Sequence, residues 1–421
     1  MARTKAALGS GVRLSDHLSA SLLARVFPAE AVGTALDLHK CNSQRQRSFP
    51  ATAGVYYCMA LSLYPECSYE EVFAALTQGL AWANGSTLGS EQSPRVAKSS
   101  ISALRSRIGF EPLQSLVASH CLPLAEVGRD PHAFYNGLRL VALDGSNFEL
   151  PDESANADEF GYPGSRTGHA GYPQAQCAVL VECATHAVLS AAIGKYRTVE
   201  WDLCQDLLPT LNSSMLCMAD RGFRGYSRWK AAQATGAQLL WRTSAHQILP
   251  VQQRLADGSF LSVITPSQGL RDERRAQAIP VRVIDYTLPD QPGDQPGQPS
   301  VQPSYRLMTT LLDPTLAPAL ELAALYQQRW QVEQVFDELK THLMQSKRVL
   351  RSKTPALVRQ EFYGWVLAHY AVRWLLHAGA SKARLRHEQL SFKAHVQLLR
   401  REQPRSGAFS PSKAEKAQAL V

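Results

Sequence analysis

The sequence predicts an α/β protein in which a mostly helical segment precedes a mixed part. Apolar residues recur at helical spacing in the first part, and from Leu138 onwards short apolar runs of strand length alternate with helical stretches. A Pro/Gln/Gly-rich run later interrupts a series of short β-prone pieces. With 421 residues, 45% of them hydrophobic, the chain is long enough for several domains and at least one sizeable core.

The first segment, residues 1–92, is predicted to be an all-helical domain. Leu14 and Leu18 begin a series of leucines at helical spacing, and Ser68 with Glu71 forms the capping-box pattern that opens a helix. We expect this domain to bind DNA together with the segment that follows it.

Residues 93–134 begin with a basic stretch, SPRVAKSSISALRSRIGF, which contains no acidic residue. Small hydroxyl side chains let a helix approach phosphates closely while basic side chains reach the bases, so this segment is predicted to be part of a helix-turn-helix. A plain solvated basic helix explains the same pattern. The predicted DNA contacts are Arg95, Lys98, Arg105 and Arg107.

Residues 135–244 are predicted to form the first part of an α/β core. The apolar run 138–143 ends at Asp144-Gly145-Ser146, which indicates a buried strand stopped by a turn, and the apolar run 214–219 also ends at an acid, Asp220. Carboxylates just beyond strand ends lie where sheets with parallel strands place their ligand sites. We therefore expect Asp144 and Asp220 to share a site.

The second part of the core, residues 305–376, contains a stretch from Leu325 to Leu343 whose apolar residues form one stripe of a helix. Four polar side chains line up beside that stripe, namely Tyr326, Arg329, Glu333 and Lys340. Between the two parts, residues 245–304 are interpreted as a β-rich insertion that carries the Pro/Gln/Gly loop.

Three carboxylates converging at a sheet edge can hold two Mg²⁺ or Mn²⁺ ions through hard oxygen ligands. Two such ions about 4 Å apart stabilise the attacking and leaving oxygens of a phosphodiester displacement. The three candidate ligands are Asp144, Asp220 and Glu333. Composition alone leaves the choice of ligands open, because other acids lie near them in the sequence. These are Asp152, Glu153, Asp158, Asp337 and Glu338. His169, His186 and His246 lack the spacing of a zinc site.

Charge distribution favours an anionic partner. The net charge is +8, and most of it lies in the tail 377–421, which contains nine Lys and Arg but only three Glu. The eight cysteines form no C-xx-C pair and are interpreted as reduced core residues. The N-terminus lacks an apolar signal region, so we expect a cytoplasmic bacterial protein without membrane insertion.

The order of these motifs, strand-DGS, strand-ADRGF and then Y-xx-R-xxx-E-xxxxxx-K, resembles the DDE transposases of bacterial insertion sequences, specifically the insertion-element-four family. Tyr326, Arg329, Glu333 and Lys340 match the family's four-residue motif at its spacing. The resemblance implies a ribonuclease-H-like core and cut-and-paste transposition through hairpin ends on double-stranded DNA, with a homodimer pairing the two ends.

The resemblance also implies roles. Asp144, Asp220 and Glu333 would be the catalytic residues and would bind two divalent metal ions, and Arg329, Lys340 and Tyr326 would contact phosphates. Trp330 or Trp241 would stack on a flipped base, although a core position explains either, and Arg221 would contact DNA. Two other hypotheses remain open: a catalytically inactive, transposase-derived DNA-binding repressor, and a nuclease that cuts without joining.

Overall fold

A computed structural model of the chain describes residues 22–43, 49–73, 76, 96–165, 168–169, 171–287, 304–344, 349–385 and 389–401. The twelve strands of its described part are β1 Phe134–Tyr135, β2 Leu138–Glu149, β3 Gly164–Ser165, β4 Gly168–His169, β5 Gln174–Glu182, β6 Ala187–Lys195, β7 Met215–Ala219, β8 Gln238–Thr243, β9 Gln253–Arg254, β10 Phe260–Ile264, β11 Ile279–Thr287 and β12 Ser304–Thr309.

The α-helices pack around the sheet that most of these strands form, and they also make up the region of the chain before it. They are α1 Ala29–Leu38, α2 Ala51–Leu63, α3 Lys98–Ile108, α4 Glu111–His120, α5 Ser154–Phe160, α6 Glu200–Gln205, α7 Tyr226–Gln233, α8 Arg271–Ala276, α9 Ala319–Tyr326, α10 Gln331–Asp337, α11 Pro355–Ala383 and α12 Phe392–Arg401. Among the described residues, no helix has the length and apolar character needed to cross a membrane.

One mixed sheet dominates the fold. Its strand order is β6-β5-β2-β7-β8-β12-β11-β10-β9, and β1 pairs with β2 beside this path. The pairs β2–β7 and β7–β8 are parallel, whereas β2–β5 and β5–β6 are antiparallel. This large mixed sheet confirms the predicted α/β class and fits a ribonuclease-H-like core.

Strand β2 runs further than predicted. Its parallel pairing with β7 ends at Leu143 opposite Ala219, but its antiparallel pairing with β5 continues to Glu149 opposite Gln174. Asp144 therefore lies within the strand, and the prediction of a turn at Asp144-Gly145-Ser146 is wrong. The reason is that β7 ends at Ala219 whereas β5 continues, so β2 keeps one pairing partner beyond Leu143.

The predicted insertion is part of the same sheet. Strand β12 pairs antiparallel with β8, and β11, β10 and β9 follow it outwards. The strands of residues 245–304 therefore extend the core sheet rather than forming a separate one. The Pro/Gln/Gly loop, at residues 288–303, lies outside the described residues.

The described residues before Phe134 form helices and no strand, and they pack on the long helix α11. The closest approach is at Gly364 of α11, where an added Cβ would lie 2.7 Å from the backbone oxygen of Cys58 in α2. Their buried side chains belong to the same hydrophobic cluster as those of the sheet. The division at residue 92 into a separate domain stays a prediction.

The glycine contact between α2 and α11 yields a test of this packing. We expect Gly364→Ala to lower the free energy of unfolding by about 1–3 kcal/mol, because the new methyl group must push the Cys58 backbone away. Gly33→Ala in α1 is the control, since a Cβ there meets no atom within 4 Å and should raise stability by up to about 1 kcal/mol. Urea unfolding would measure both, and equal effects would contradict the close contact.

Candidate active site

Arg329 connects two of the three predicted catalytic acids. Its guanidinium donates to Asp144 Oδ2 at 3.3 Å and to Glu333 Oε1 at 3.1 Å. The Arg329 side chain is buried, Asp144 is 17% exposed and Glu333 is 47% exposed. The positive group between the two carboxylates is thus the guanidinium of Arg329, which belongs to the same helical segment as Glu333.

Asp220 follows β7 directly, at the position that the strand pattern predicts. Its Oδ1 accepts a hydrogen bond from the backbone N–H of Gly222 at 2.7 Å, which closes the turn of the Asp220-Arg221-Gly222 segment. Because β2 and β7 are parallel and their pairing ends at Leu143 and Ala219, Asp144 and Asp220 are neighbours at one edge of the sheet.

The electrostatics of Asp144 reflect these neighbours. Burial raises the pKa of Asp144 to about 6, Arg329 and the Gly145 backbone N–H oppose that rise, and the charges of Asp220 and Glu333 add to it. In these surroundings, additional positive charge nearby stabilises the ionised form of the carboxyl group. Carboxylate oxygens are the ligands that Mg²⁺ and Mn²⁺ prefer, and the guanidinium shows where positive charge is stabilised.

The residues present thus fit a divalent-metal site. In the described part of the chain, no three His, Cys, Asp or Glu side chains are arranged to hold a metal in this conformation. The guanidinium of Arg329 lies between two of the acids and is bound to both.

The helical segment that carries Glu333 changes its winding along its length. Helix α9 ends at Tyr326, residues Gln327–Trp330 form a 3₁₀ turn, α10 follows, and Glu338–Leu343 form a π-helical turn. The prediction of one regular helix is therefore only partly right. Lys340 of the π turn donates to Ser146 Oγ, and burial lowers the pKa of Lys340.

Tyr326 lies inside the protein in the DNA-free structure. The side chain is buried, and its hydroxyl donates to the backbone oxygen of Ala219 at 3.1 Å. The phosphate contact of Tyr326 stays a prediction. Tyr326 ties the helical segment to the end of β7, one residue before Asp220.

Glu338 anchors the same segment from inside the protein. Its carboxylate accepts hydrogen bonds from Arg373 Nε at 2.9 Å and from His369 Nε2 at 2.8 Å, both on α11, and lies 3.0 Å from His186 Nδ1. All four side chains are buried. A cavity of about 440 Å³ borders this cluster, and its lining contains none of the three catalytic candidates.

Glu200, at the start of α6, is a carboxylate close to the candidate site that the sequence analysis missed. A Cβ added at Gly145 would lie 2.3 Å from Glu200 Oε1, so the carboxylate covers the backbone beside Asp144. Burial and the charges of Asp144 and Asp220 raise the pKa of Glu200 to about 7. No strand-end pattern marks this residue; the only signal was an acid opening a helix after an apolar strand.

The basic segment divides into buried and exposed parts. Arg105 is buried, and its guanidinium donates to Gln360 Oε1 at 2.9 Å and to Ser352 Oγ at 3.0 Å. In this structure the donors of Arg105 are used within the protein, and its predicted DNA contact stays a prediction. Lys98 and Arg107 are exposed, whereas Arg95 lies outside the described residues.

The two candidate tryptophans differ sharply in exposure. Trp330 is 55% exposed beside Arg329, whereas Trp241 is buried against the rings of Trp229, Trp201 and Phe223. Trp241 is thus a core residue and cannot stack on a base without leaving the sheet.

The remaining candidates also have definite places. Arg221 is exposed beside Asp220, and His246 is exposed, whereas His186 belongs to the Glu338 cluster. The side chain of His169 and the tail beyond residue 401 lie outside the described residues. All eight cysteines are free and most are buried, as predicted.

The mixed sheet and its candidate acids fit a DDE-type domain. The family profile described as "Transposase DDE domain" matches residues 135–371, and that described as "Insertion element 4 transposase N-terminal" matches residues 17–118. The chain therefore belongs to the DDE transposases of the insertion element 4 family, which confirms the resemblance stated above.

Individual relatives agree with this membership. The chain is 26% identical over 291 residues to the transposase InsG of insertion sequence element IS4 from Escherichia coli K12; the match covers 67% of this chain and 61% of InsG. InsZ from the same strain is 24% identical over 268 residues, with 62% of this chain and 83% of InsZ covered. The chain is also similar to the piggyBac transposase in a synaptic complex with hairpin DNA. The TM-score is 0.43 and the identity is 10%, and the match covers 95% of this chain and 84% of the piggyBac chain.

The Glu338 cluster predicts a pH dependence of stability. His369 donates through Nε2, and its Nδ1 is buried without a hydrogen-bond partner, so burial lowers the pKa of His369 to about 3. The folded protein therefore binds fewer protons than the unfolded chain between the ordinary pKa of about 6.5 and this value. Stability should be lost as pH falls through this window.

We expect His369→Gln, which keeps a donor but cannot be protonated, to reduce that loss by on the order of 2–3 kcal/mol between pH 6.5 and pH 4. Urea unfolding at each pH would measure it. His246→Gln, at an exposed site, is the control and should leave the pH dependence unchanged. A wild-type slope in the His369→Gln protein would contradict a neutral His369.

Proposed function

We propose that this protein is the transposase of a bacterial insertion sequence, which cuts the ends of its element and joins them to target DNA. The observation that carries the proposal is the convergence of Asp144, Glu333 and Arg329 beside Asp220, in a chain of the DDE transposase family. The substrate would be double-stranded DNA, with hairpin ends as the intermediate product of a cut-and-paste route. A homodimer would hold two ends together.

In this proposal Asp144, Asp220 and Glu333 hold two Mg²⁺ or Mn²⁺ ions. Bound there, the ions would supply positive charge to the attacking and leaving oxygens of the phosphodiester. Asp144 and Asp220 belong to adjacent strands, and Glu333 belongs to a helical segment that Tyr326 and Glu338 fix to the core. Since no three acids of the described residues are arranged to hold a metal while Arg329 binds two of them, the site would be completed when the ions bind.

The cationic side chains would then handle the DNA backbone. Arg329 is bound to Asp144 and Glu333 in the DNA-free protein, and it would exchange these acids for a phosphate when metal neutralises them. Lys340, next to Ser146, would bind a phosphate of the same strand. Trp330 offers an exposed indole on which a flipped base could stack, and Arg221, Lys98 and Arg107 are exposed for further contacts.

The test of catalysis uses duplex DNA that carries the inverted repeats flanking the gene. With Mg²⁺ or Mn²⁺, we expect the wild-type protein to nick these ends, form hairpins and join them to target DNA. Glu333→Gln should lower cleavage at least ~1,000-fold while end binding in a gel-shift assay persists, because it removes a metal ligand and not a phosphate contact.

Asp337→Asn is the matched control, since Asp337 is an exposed acid of the same helix α10. It should cleave like the wild type. Equal cleavage by Glu333→Gln and the wild type would contradict the proposal. Binding without cleavage by the wild type would favour the inactive repressor, and cutting without joining would favour a nuclease.

The position of Arg329 predicts a second effect, on metal affinity without DNA. We expect Arg329→Gln to bind Mn²⁺ roughly tenfold more tightly than the wild type, because the cation no longer has to replace a guanidinium between two acids. Isothermal titration calorimetry would measure the affinity. Arg221→Gln removes an exposed arginine beside Asp220 and should change it far less. Unchanged or weaker Mn²⁺ binding by Arg329→Gln would show that Arg329 does not compete with the metal.

A further inference from the structure

Glu200 occupies a position between the two acid-bearing segments of the active site. It is the first residue of α6, which follows β6 after a short turn, and its carboxylate is directed at Gly145 of β2. A Cβ at Gly145 would lie 2.3 Å from Glu200 Oε1 and 2.7 Å from Glu200 Cδ. Any larger residue at this position would require the Glu200 carboxylate to shift.

The other oxygen of the same carboxylate faces the Asp220 segment. A Cβ added at Gly222 would lie 3.8 Å from Glu200 Oε2 and 2.9 Å from Asp220 Oδ1. The Glu200 carboxylate therefore lies close to the backbone of both acid-bearing segments, because Gly145 follows Asp144 and Gly222 is two residues after Asp220.

Glu200 differs from the neighbouring acids in its hydrogen-bond and ion-pair partners. Asp144 is bound by Arg329 and by the Gly145 backbone N–H, and Asp220 accepts from the Gly222 backbone N–H. Within the residues that the structure describes, no hydrogen bond or ion pair of the Glu200 carboxylate is formed. Arg228 and Arg329 influence it only as more distant charges. A half-buried carboxylate among other acids is unfavourable unless a cation joins it.

We propose that Glu200 is a fourth carboxylate of the active site and supplies an oxygen ligand to the divalent cation held by Asp144 and Asp220. This inference rests on the proposed function, because it assumes that the site binds Mg²⁺ or Mn²⁺. Arg329 already engages Asp144 and Glu333, and the Gly222 backbone N–H donates to Asp220, whereas Glu200 would bring a carboxylate without such a partner among the described residues. It also gives Gly145 a role, since any larger residue there would displace the Glu200 carboxylate.

The test measures Mn²⁺ binding to the full-length protein, with free Mn²⁺ followed by electron paramagnetic resonance. Glu200→Gln keeps the size of the side chain and removes its charge, and we expect it to weaken Mn²⁺ binding at least about tenfold. Asp202→Asn is the matched control on the same short helix, where the acid is exposed, and its affinity should stay within about twofold of the wild type. Asp144→Asn serves as the reference for loss of a ligand.

The outcomes separate the two proposals. Wild-type affinity in Glu200→Gln, together with weakened binding in Asp144→Asn, overturns the role of Glu200 and leaves the proposed function intact. Absence of saturable Mn²⁺ binding in the wild type, or its persistence in Asp144→Asn, overturns the metal site itself. Circular dichroism confirms folding, and if Glu200→Gln does not fold, Glu200→Asp replaces it. The shorter acid should also bind Mn²⁺ more weakly, and wild-type affinity in Glu200→Asp overturns the role of Glu200.

Discussion

The parallel pairing of β2 with β7, and its end at Leu143 and Ala219, is the constraint on which the site depends. Where the pairing of two parallel strands ends, the next residues of the two segments lie side by side, which places Asp144 beside Asp220. Antiparallel pairing with β5 then carries β2 onwards, so Asp144 is held by strand geometry and not by a flexible turn. Everything else at the site is arranged around this fixed pair.

The helical segment from α9 to the π turn brings the remaining groups to that pair. Tyr326 holds its start against the end of β7, and Glu338 holds its other end against α11. Between these two anchors lie Arg329 and Glu333, whose ion pairs neutralise part of the negative charge. The buried anchors therefore have as large a part in placing the site as the residues that face it.

Sequence patterns predicted the strands and the three acids because those features depend on local periodicity and on a motif of fixed spacing. They could not show that Tyr326 and Arg105 are buried, since a tyrosine or an arginine suits a surface as well as a satisfied interior position. They also missed Glu200, because its proximity to Gly145 arises from the packing of α6 on the sheet, between residues that are distant in the chain. The extension of β2 past Asp144 escaped for a similar reason: it depends on a partner strand that is distant in the chain.

Strand β8 belongs at once to the core sheet and to the outer strands, because it pairs with β7 on one side and with β12 on the other. In mechanical terms the outer strands are a rigid extension of the sheet and not a hinged flap. Swinging them towards the acids would require breaking a continuous ladder of backbone hydrogen bonds. A large substrate that touched both the acids and these strands would therefore meet two surfaces of one continuous sheet.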